Sequence, residues 1–241
     1  MKEILYDIPV NDIFDIPCEC PVCAMRKKLE DDSVAFVMGP SYMEDDIRLT
    51  TDKIGFCERH MQMMYDFENR LGLALILNTH MQNIIQNIEK LQKKGRKETS
   101  GLFSKKTGSS LSDYVKKTSG SCFICDRIRD TFKRYLITTL YLYEKDMAFR
   151  KKFLSSRGFC FEHYGMLFEM APEYLHGQVL EDFTTDLNQI FLSNFKRMQD
   201  EVSWFIDKFD YRNADAPWKT SKDALPRAMT KVNGILPSAD S

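Results

Sequence analysis

Apolar residues recur along the chain at helical spacing, three and four apart, with little of the strict alternation that marks half-buried strands. From residue 23 to residue 38 no proline or glycine intervenes, and Met25, Leu29, Phe36 and Val37 supply the apolar positions of a first helix. Gly39-Pro40 ends it. Ser41-Tyr-Met-Glu44 then has the form of a capping box, which predicts a second helix from Ser41 through about Thr50. Residues 58–92 follow with Met61, Met64, Leu71, Leu75, Ile85 and Ile88 at helical spacing, the pattern of one long helix. The same order returns later, with helices predicted over about 124–142 and 144–155. Beyond Pro172, a residue suited to a first helical turn, the stripe Leu175, Val179, Phe183, Leu187, Ile190, Met198, Val202, Phe205 and Phe209 runs on for the length of another long helix.

Composition supports this helical reading. Eleven glycines and eight prolines in 241 residues fall below the usual share of about 12%, too few turn-makers for a sandwich or barrel. Net charge is −1, so no global attraction to nucleic acid or membrane follows. The longest apolar run, Leu73 to Leu77, is far short of the roughly 20 residues a membrane span needs. Met1-Lys-Glu-Ile-Leu-Tyr-Asp has no apolar secretion core, and the chain is expected to be cytoplasmic.

The cysteines carry the chemistry. An odd number, seven, without an export signal argues against a disulfide framework. Six fall into a pattern that occurs twice: Cys20-Pro-Val-Cys23 with Gly55-Phe-Cys57-Glu-Arg-His60, and Cys122-Phe-Ile-Cys125 with Gly158-Phe-Cys160-Phe-Glu-His163. Between them, Glu44-x-x-Ile47-Arg48 recurs as Asp146-x-x-Phe149-Arg150. Such a match points to a duplication. Cys18, His80 and His176 have no counterpart in the other copy and are set aside as ligands, with Cys18 left as a substitute.

Three cysteines and one histidine complete a tetrahedral set for zinc, so two Zn2+ per chain are expected. A ligand just outside a helix and another in its first turn can meet one ion without backbone strain, and helix N-termini favour the thiolates that bind metal. In the simplest geometry the first helix runs out about 22 Å at 1.5 Å per residue, the second returns, and the ion clasps the ends of that hairpin. The fold expected is all-α: two pseudo-repeats, each a zinc-clasped helical hairpin followed by a long amphipathic helix. The sequence leaves open whether each zinc is held within one repeat or shared across both. The organisation predicted is a first repeat over 1–92, a basic flexible linker over 93–121, a second repeat over 122–210, and a tail over 211–241. In that tail Trp218 anchors the chain and a short helix follows Ser221. Eight basic and two acidic residues make the linker locally basic, and its removal leaves the rest at −7.

The doubled C-x-x-C…G-F-C-x-x-H layout, with Ser41-Tyr-Met-Glu-Asp-Asp-Ile-Arg48 and with Pro217-Trp218…Ser221-Lys-Asp-Ala-Leu-Pro-Arg227, resembles an uncharacterised bacterial family of unknown function. Its members are sometimes labelled substrate-binding proteins of ABC transporters. The resemblance covers nearly the whole chain and implies no activity.

Four protein ligands leave a tetrahedral zinc no open position. The leading expectation is therefore a non-catalytic zinc protein that supports binding to another macromolecule, most readily a protein. The alternative is a redox- or metal-responsive thiolate switch. An enzyme ranks lower, because H-E-x-x-H, G-x-S-x-G, G-x-G-x-x-G and the deaminase signature are all missing. Nucleic-acid binding would rest on the 93–121 stretch alone.

Overall fold

The structure is a computed structural model that describes residues 6–98 and 107–234. Eleven α-helices order these residues: α1 (Asp7–Phe14), α2 (Pro21–Met38), α3 (Asp45–Ile54), α4 (Glu58–Asp66), α5 (Arg70–Glu98), α6 (Thr107–Ser119), α7 (Phe123–Lys145), α8 (Met147–Ser155), α9 (Phe161–Tyr174), α10 (Gly177–Asp207) and α11 (Ala224–Asn233). Among the described residues the fold is all-helical, and its order repeats: α2, α3, α4 and α5 of the first copy correspond to α7, α8, α9 and α10 of the second.

Several boundaries differ from the sequence expectation, each for a local reason. Pro40–Met43 winds as a tight 3-10 turn, and Glu44 is extended (φ −76°, ψ 130°) and makes no side-chain cap bond. The second helix therefore starts at Asp45 instead of at Ser41. The single helix expected over 58–92 is two, α4 and α5, parted where Glu68 takes a positive φ of 68°. Asn69 starts α5 by accepting from the Gly72 N–H at 2.9 Å, while its amide donates to the Met38 carbonyl. In the second copy the break between α7 and α8 is made by Asp146, whose carboxylate accepts from the N–H groups of Ala148 and Phe149. This is N-cap chemistry that needs neither glycine nor proline. Pro172 lies inside α9, and α10 begins only at Gly177.

The 93–121 stretch is helical at both ends, from the close of α5 to Glu98 and across α6, Thr107–Ser119. Lys93, Lys116 and Lys117 are exposed, whereas Lys105 and Lys106 lie outside the described residues. In the tail, α11 follows Ser221 as anticipated. Trp218 stands 5.7 Å from Phe205, and Trp204 Nε1 donates to the Pro217 carbonyl.

The compact units are not the two sequence copies. One comprises Met1–Lys28 with Phe132–Ser241, the other Leu29–Thr131, so the division falls within α2 and within α7. The first unit has a dense aromatic core. Phe149, Phe153, Phe159, Phe183 and Tyr143 are fully buried; Phe14 meets Phe149 at 4.8 Å, and Tyr143 meets Phe183 edge-on at 4.9 Å. Arg150 leaves Asp146 to its capping role and pairs with Asp182 and Asp186 of α10 at 3.3 and 3.2 Å.

The second unit is held by aliphatic and polar contacts. Its buried apolar residues include Leu29, Val34, Val37, Met38, Met64, Leu73, Ile76, Ile124 and Ile128, and no aromatic side chain is fully buried among its described residues. The α3–α5 packing is fixed by Thr79 donating to Asp52 at 2.6 Å and by His80 and Asn83 binding the Asp52 carbonyl.

Candidate metal centres

The ligand candidates sit where helices begin. Cys20 immediately precedes α2 and Cys23 lies in its first turn, with Pro21 at the first helical position, where a missing N–H costs nothing. Cys122 and Cys125 stand likewise on α7. In both pairs the second cysteine's N–H points at the first one's sulfur, at 3.4 Å for Cys23 and 3.5 Å for Cys125. Cys57 and Cys160 occupy the N-cap positions of α4 and α9, and His60 and His163 follow in the first turns. The glycine of each G-F-C run makes the bend before them. Gly55 and Gly158 have φ of +70° and +76°, and a β-carbon on Gly55 would stand 2.8 Å from His80 Nε2. His80 is thus a packing residue against that bend, in keeping with its exclusion as a ligand.

All eight candidates converge, but crosswise. Cys20 and Cys23 of the first copy meet Cys160 and His163 of the second; Cys57 and His60 of the first meet Cys122 and Cys125 of the second. Within each quartet the ligand atoms all lie within 4.8 Å of one another. The hairpin clasp, with Cys20, Cys23, Cys57 and His60 on one ion, is therefore not the arrangement found. Instead, the two halves of the motif exchange partners, and each resulting quartet lies inside one compact unit. Cys18 belongs to neither quartet.

The distances suit a tetrahedral ion. In the first quartet His163 Nδ1 lies 3.1, 3.3 and 3.5 Å from the sulfurs of Cys160, Cys23 and Cys20, and Cys23 is 3.6 Å from Cys160. In the second, His60 Nδ1 lies 3.2, 3.2 and 3.4 Å from Cys57, Cys122 and Cys125, and Cys57 is 3.9 Å from Cys125. Bonds of about 2.3 Å from zinc to sulfur separate tetrahedral sulfurs by about 3.8 Å. Nδ1 is the converging nitrogen in both histidines, so Nε2 faces outward. Each quartet is a set able to chelate a metal.

Three thiols at this spacing hold their protons unequally. Burial, the largest influence on Cys122, raises its pKa, but the hydrogen bonds from His60 and from the Cys125 and Cys57 backbones outweigh it and bring the thiol down to about 6. Burial and then the neighbouring Cys122 push Cys125 up to about 12. Cys20 is likewise pushed up to about 12, first by burial and then by Cys160. A divalent cation on either quartet must therefore displace protons as it binds.

The groups beyond the ligands differ between the two. Glu30, buried on α2, sets Oε1 3.6 Å from His60 Nε2 and is itself gripped by Arg59 at 3.2 and 2.6 Å. Burial works to raise the Glu30 carboxyl, but His60 and Arg59 together hold it down at about 2. The equivalent residue on α7 is Phe132, whose ring stands 5.8 Å from His163, so an aromatic ring takes the place of the carboxylate; neither histidine's Nε2 makes a hydrogen bond of normal length among the described residues. A carboxylate behind a ligating imidazole fixes its orientation and strengthens it as a ligand, an effect worth roughly 10- to 100-fold in metal affinity. Glu30→Gln should accordingly weaken zinc retention by the second quartet about 10-fold and leave the first unchanged, measured by competition with a chromophoric chelator.

Accessibility differs as well. All four residues of the first quartet are buried, whereas Cys57 and Cys125 of the second are half-buried. Elsewhere, Glu44, Asp45 and Asp46 form an exposed, solvated face. Among the described residues no further grouping of potential metal ligands converges in this way, and no helix is long and apolar enough to cross a membrane.

Fold and site together define an all-helical protein with two Cys3His-type clusters, each assembled from both halves of a duplicated motif. Residues 1–239 match the model of a family described as a family of unknown function, DUF6062, and the chain belongs to that family. No curated protein and no solved structure matches it.

Proposed function

We propose that the chain is a non-catalytic zinc protein, with one Zn2+ bound by Cys20, Cys23, Cys160 and His163 and another by Cys57, His60, Cys122 and Cys125. The ions stabilise a helical body whose role is to bind another macromolecule, a protein in the first instance. The convergence of eight recurring ligand atoms into two complete quartets carries this reading. Three sulfurs and one nitrogen favour zinc over hard cations, which prefer oxygen. Four protein ligands per ion leave no place for a substrate or an activated water, as in structural zinc sites. Elemental analysis of the purified chain should find two zinc ions, and cobalt substitution should give the intense visible bands of tetrahedral sulfur-rich coordination. A chain that holds no metal, or a cobalt form with octahedral spectra, sinks the reading.

A second reading is favoured by the half-buried sulfurs of Cys57 and Cys125. Here the second quartet responds to oxidants: hydrogen peroxide takes two electrons from a pair of thiolates to form a disulfide, is reduced to water, and the zinc leaves. In that case the first quartet remains structural.

A further inference from the structure

One side-chain cluster is explained neither by packing nor by the ligand sets. Glu19, buried just before Cys20, is reached by Arg197 at 2.5 Å, Arg227 at 3.3 Å, and Arg157 and Lys231 at 3.4 Å each. Glu201 takes up part of this charge through Arg197 and Arg227, and Asp223 pairs with Arg227 at 2.8 Å. Lys231 is the unusual member. It is 1% exposed, as deeply buried as the core phenylalanines. A buried ammonium needs both hydrogen-bond acceptors and a nearby negative charge.

Lys231 finds both beside the first quartet. Nζ donates to the Glu19 carbonyl at 2.6 Å and to the Arg157 carbonyl, and it lies within the electrostatic reach of Cys20. Its two acceptors belong to different segments, one leading into Cys20 and the other into Cys160. The metal ties these two segments together. Zinc with three thiolates and a neutral imidazole keeps one net negative charge, which the lysine answers. Three residues further on, α11 ends at Gly234, where an added β-carbon would lie 3.5 Å from Cys23 Sγ and 3.8 Å from Cys160 Sγ. The end of the helix is thus laid directly over the sulfurs.

We propose that α11 is a metal-dependent latch, docked on the first quartet while that quartet holds its ion and set free when the ion is lost. The inference rests on the zinc reading given above. Losing the ion unties the two segments whose carbonyls Lys231 bridges and frees the sulfurs over which Gly234 lies. Binding linkage makes the effect reciprocal: a docked α11 tightens the binding of that zinc. The face of the first unit that α11 covers then becomes available only when the metal is gone.

The test is amide hydrogen exchange of residues 224–233 in the full zinc-loaded chain, compared with Cys160→Ser, Cys57→Ser and Lys231→Met. Cys160→Ser should speed exchange in α11 by about 5- to 150-fold, the usual range of coupling between linked sites. Cys57→Ser, which touches the other quartet, should leave α11 as in the parent. Lys231→Met should speed α11 exchange with two zinc ions still bound, and one of the two should then yield to a competing chelator at a lower chelator concentration. If Cys160→Ser also exposes the amides of α10, the first unit has opened as a whole, and Lys231→Met alone decides. A two-zinc chain whose α11 ignores both substitutions overturns the latch and leaves the zinc reading standing; a parent chain without zinc ends both.

Discussion

Replacing Cys20 and Cys160 together should leave a chain that still holds one zinc ion, whereas replacing Cys20 and Cys57 together should leave none. The first pair of serines falls in a single quartet, and the second pair breaks both. If each ion were held within one sequence copy, the outcomes would be reversed: Cys20 with Cys57 would retain one ion and Cys20 with Cys160 would lose both. The first variant takes two of three thiolates from one site; the second takes one thiolate from each, leaves three protein ligands per ion, and weakens both sites enough for a chelator to empty them. Metal counting by atomic emission on the two double variants, after dialysis against a weak chelator, reads the answer directly.

Stripping both ions with a strong chelator should undo the two units unequally. The unit over Leu29–Thr131 has an aliphatic core with no fully buried aromatic among its described residues. Near Cys57 and Cys122 the helix ends are also tied by Ser121 Oγ to the Ile54 carbonyl at 2.6 Å, the Phe123 N–H to the Gly55 carbonyl at 2.9 Å and the Phe56–Phe123 ring contact. A small body without buried aromatic rings leans on its metal, whose binding energy is then folding energy, on the order of 10 kcal/mol for structural zinc. Amide protection across α3, α4 and α5 should therefore collapse on chelation. Protection should persist around Phe149, Phe153 and Phe183, where interlocked aromatic rings hold without the ion. Hydrogen-exchange mass spectrometry with and without chelator checks this; equal loss in both units, or none in either, contradicts it. Mild peroxide in place of chelator separates the two readings of the second quartet, since a switch releases one ion and a purely structural pair releases none.

The residues of the site were legible in the sequence; their partnership was not. Ligand identity is written locally, in C-x-x-C and C-x-x-H turns whose spacing matches a helix start, and duplication doubled the signal. Which dyad meets which depends on how far α2 and α7 run and where their ends lie, and helix periodicity does not encode that. The crossed pairing therefore came only with the fold. The break between α4 and α5 does not show in the apolar periodicity for a related reason. Asn69 starts α5 through one side-chain bond to a backbone N–H, a weaker signal than Gly39-Pro40. Glu30 and Phe132 occupy equivalent positions on α2 and α7, yet nothing in either residue announces that it faces a histidine. Lys231 was less legible still, because a lysine in a tail helix ordinarily belongs in water.

The exchange of ligands has an ancestral consequence. A polypeptide containing one copy of the motif would own a complete inventory of donors and be unable to use it, because its two dyads do not meet. Two such polypeptides related by a twofold axis would satisfy each other, each lending its C-x-x-C to the partner's C-x-x-H, and would make two equivalent centres. Fusing them end to end would preserve both centres while freeing the copies to diverge, one acquiring a carboxylate behind its histidine and the other a lysine-bearing lid. On that lineage the present molecule is a homodimer written into one chain.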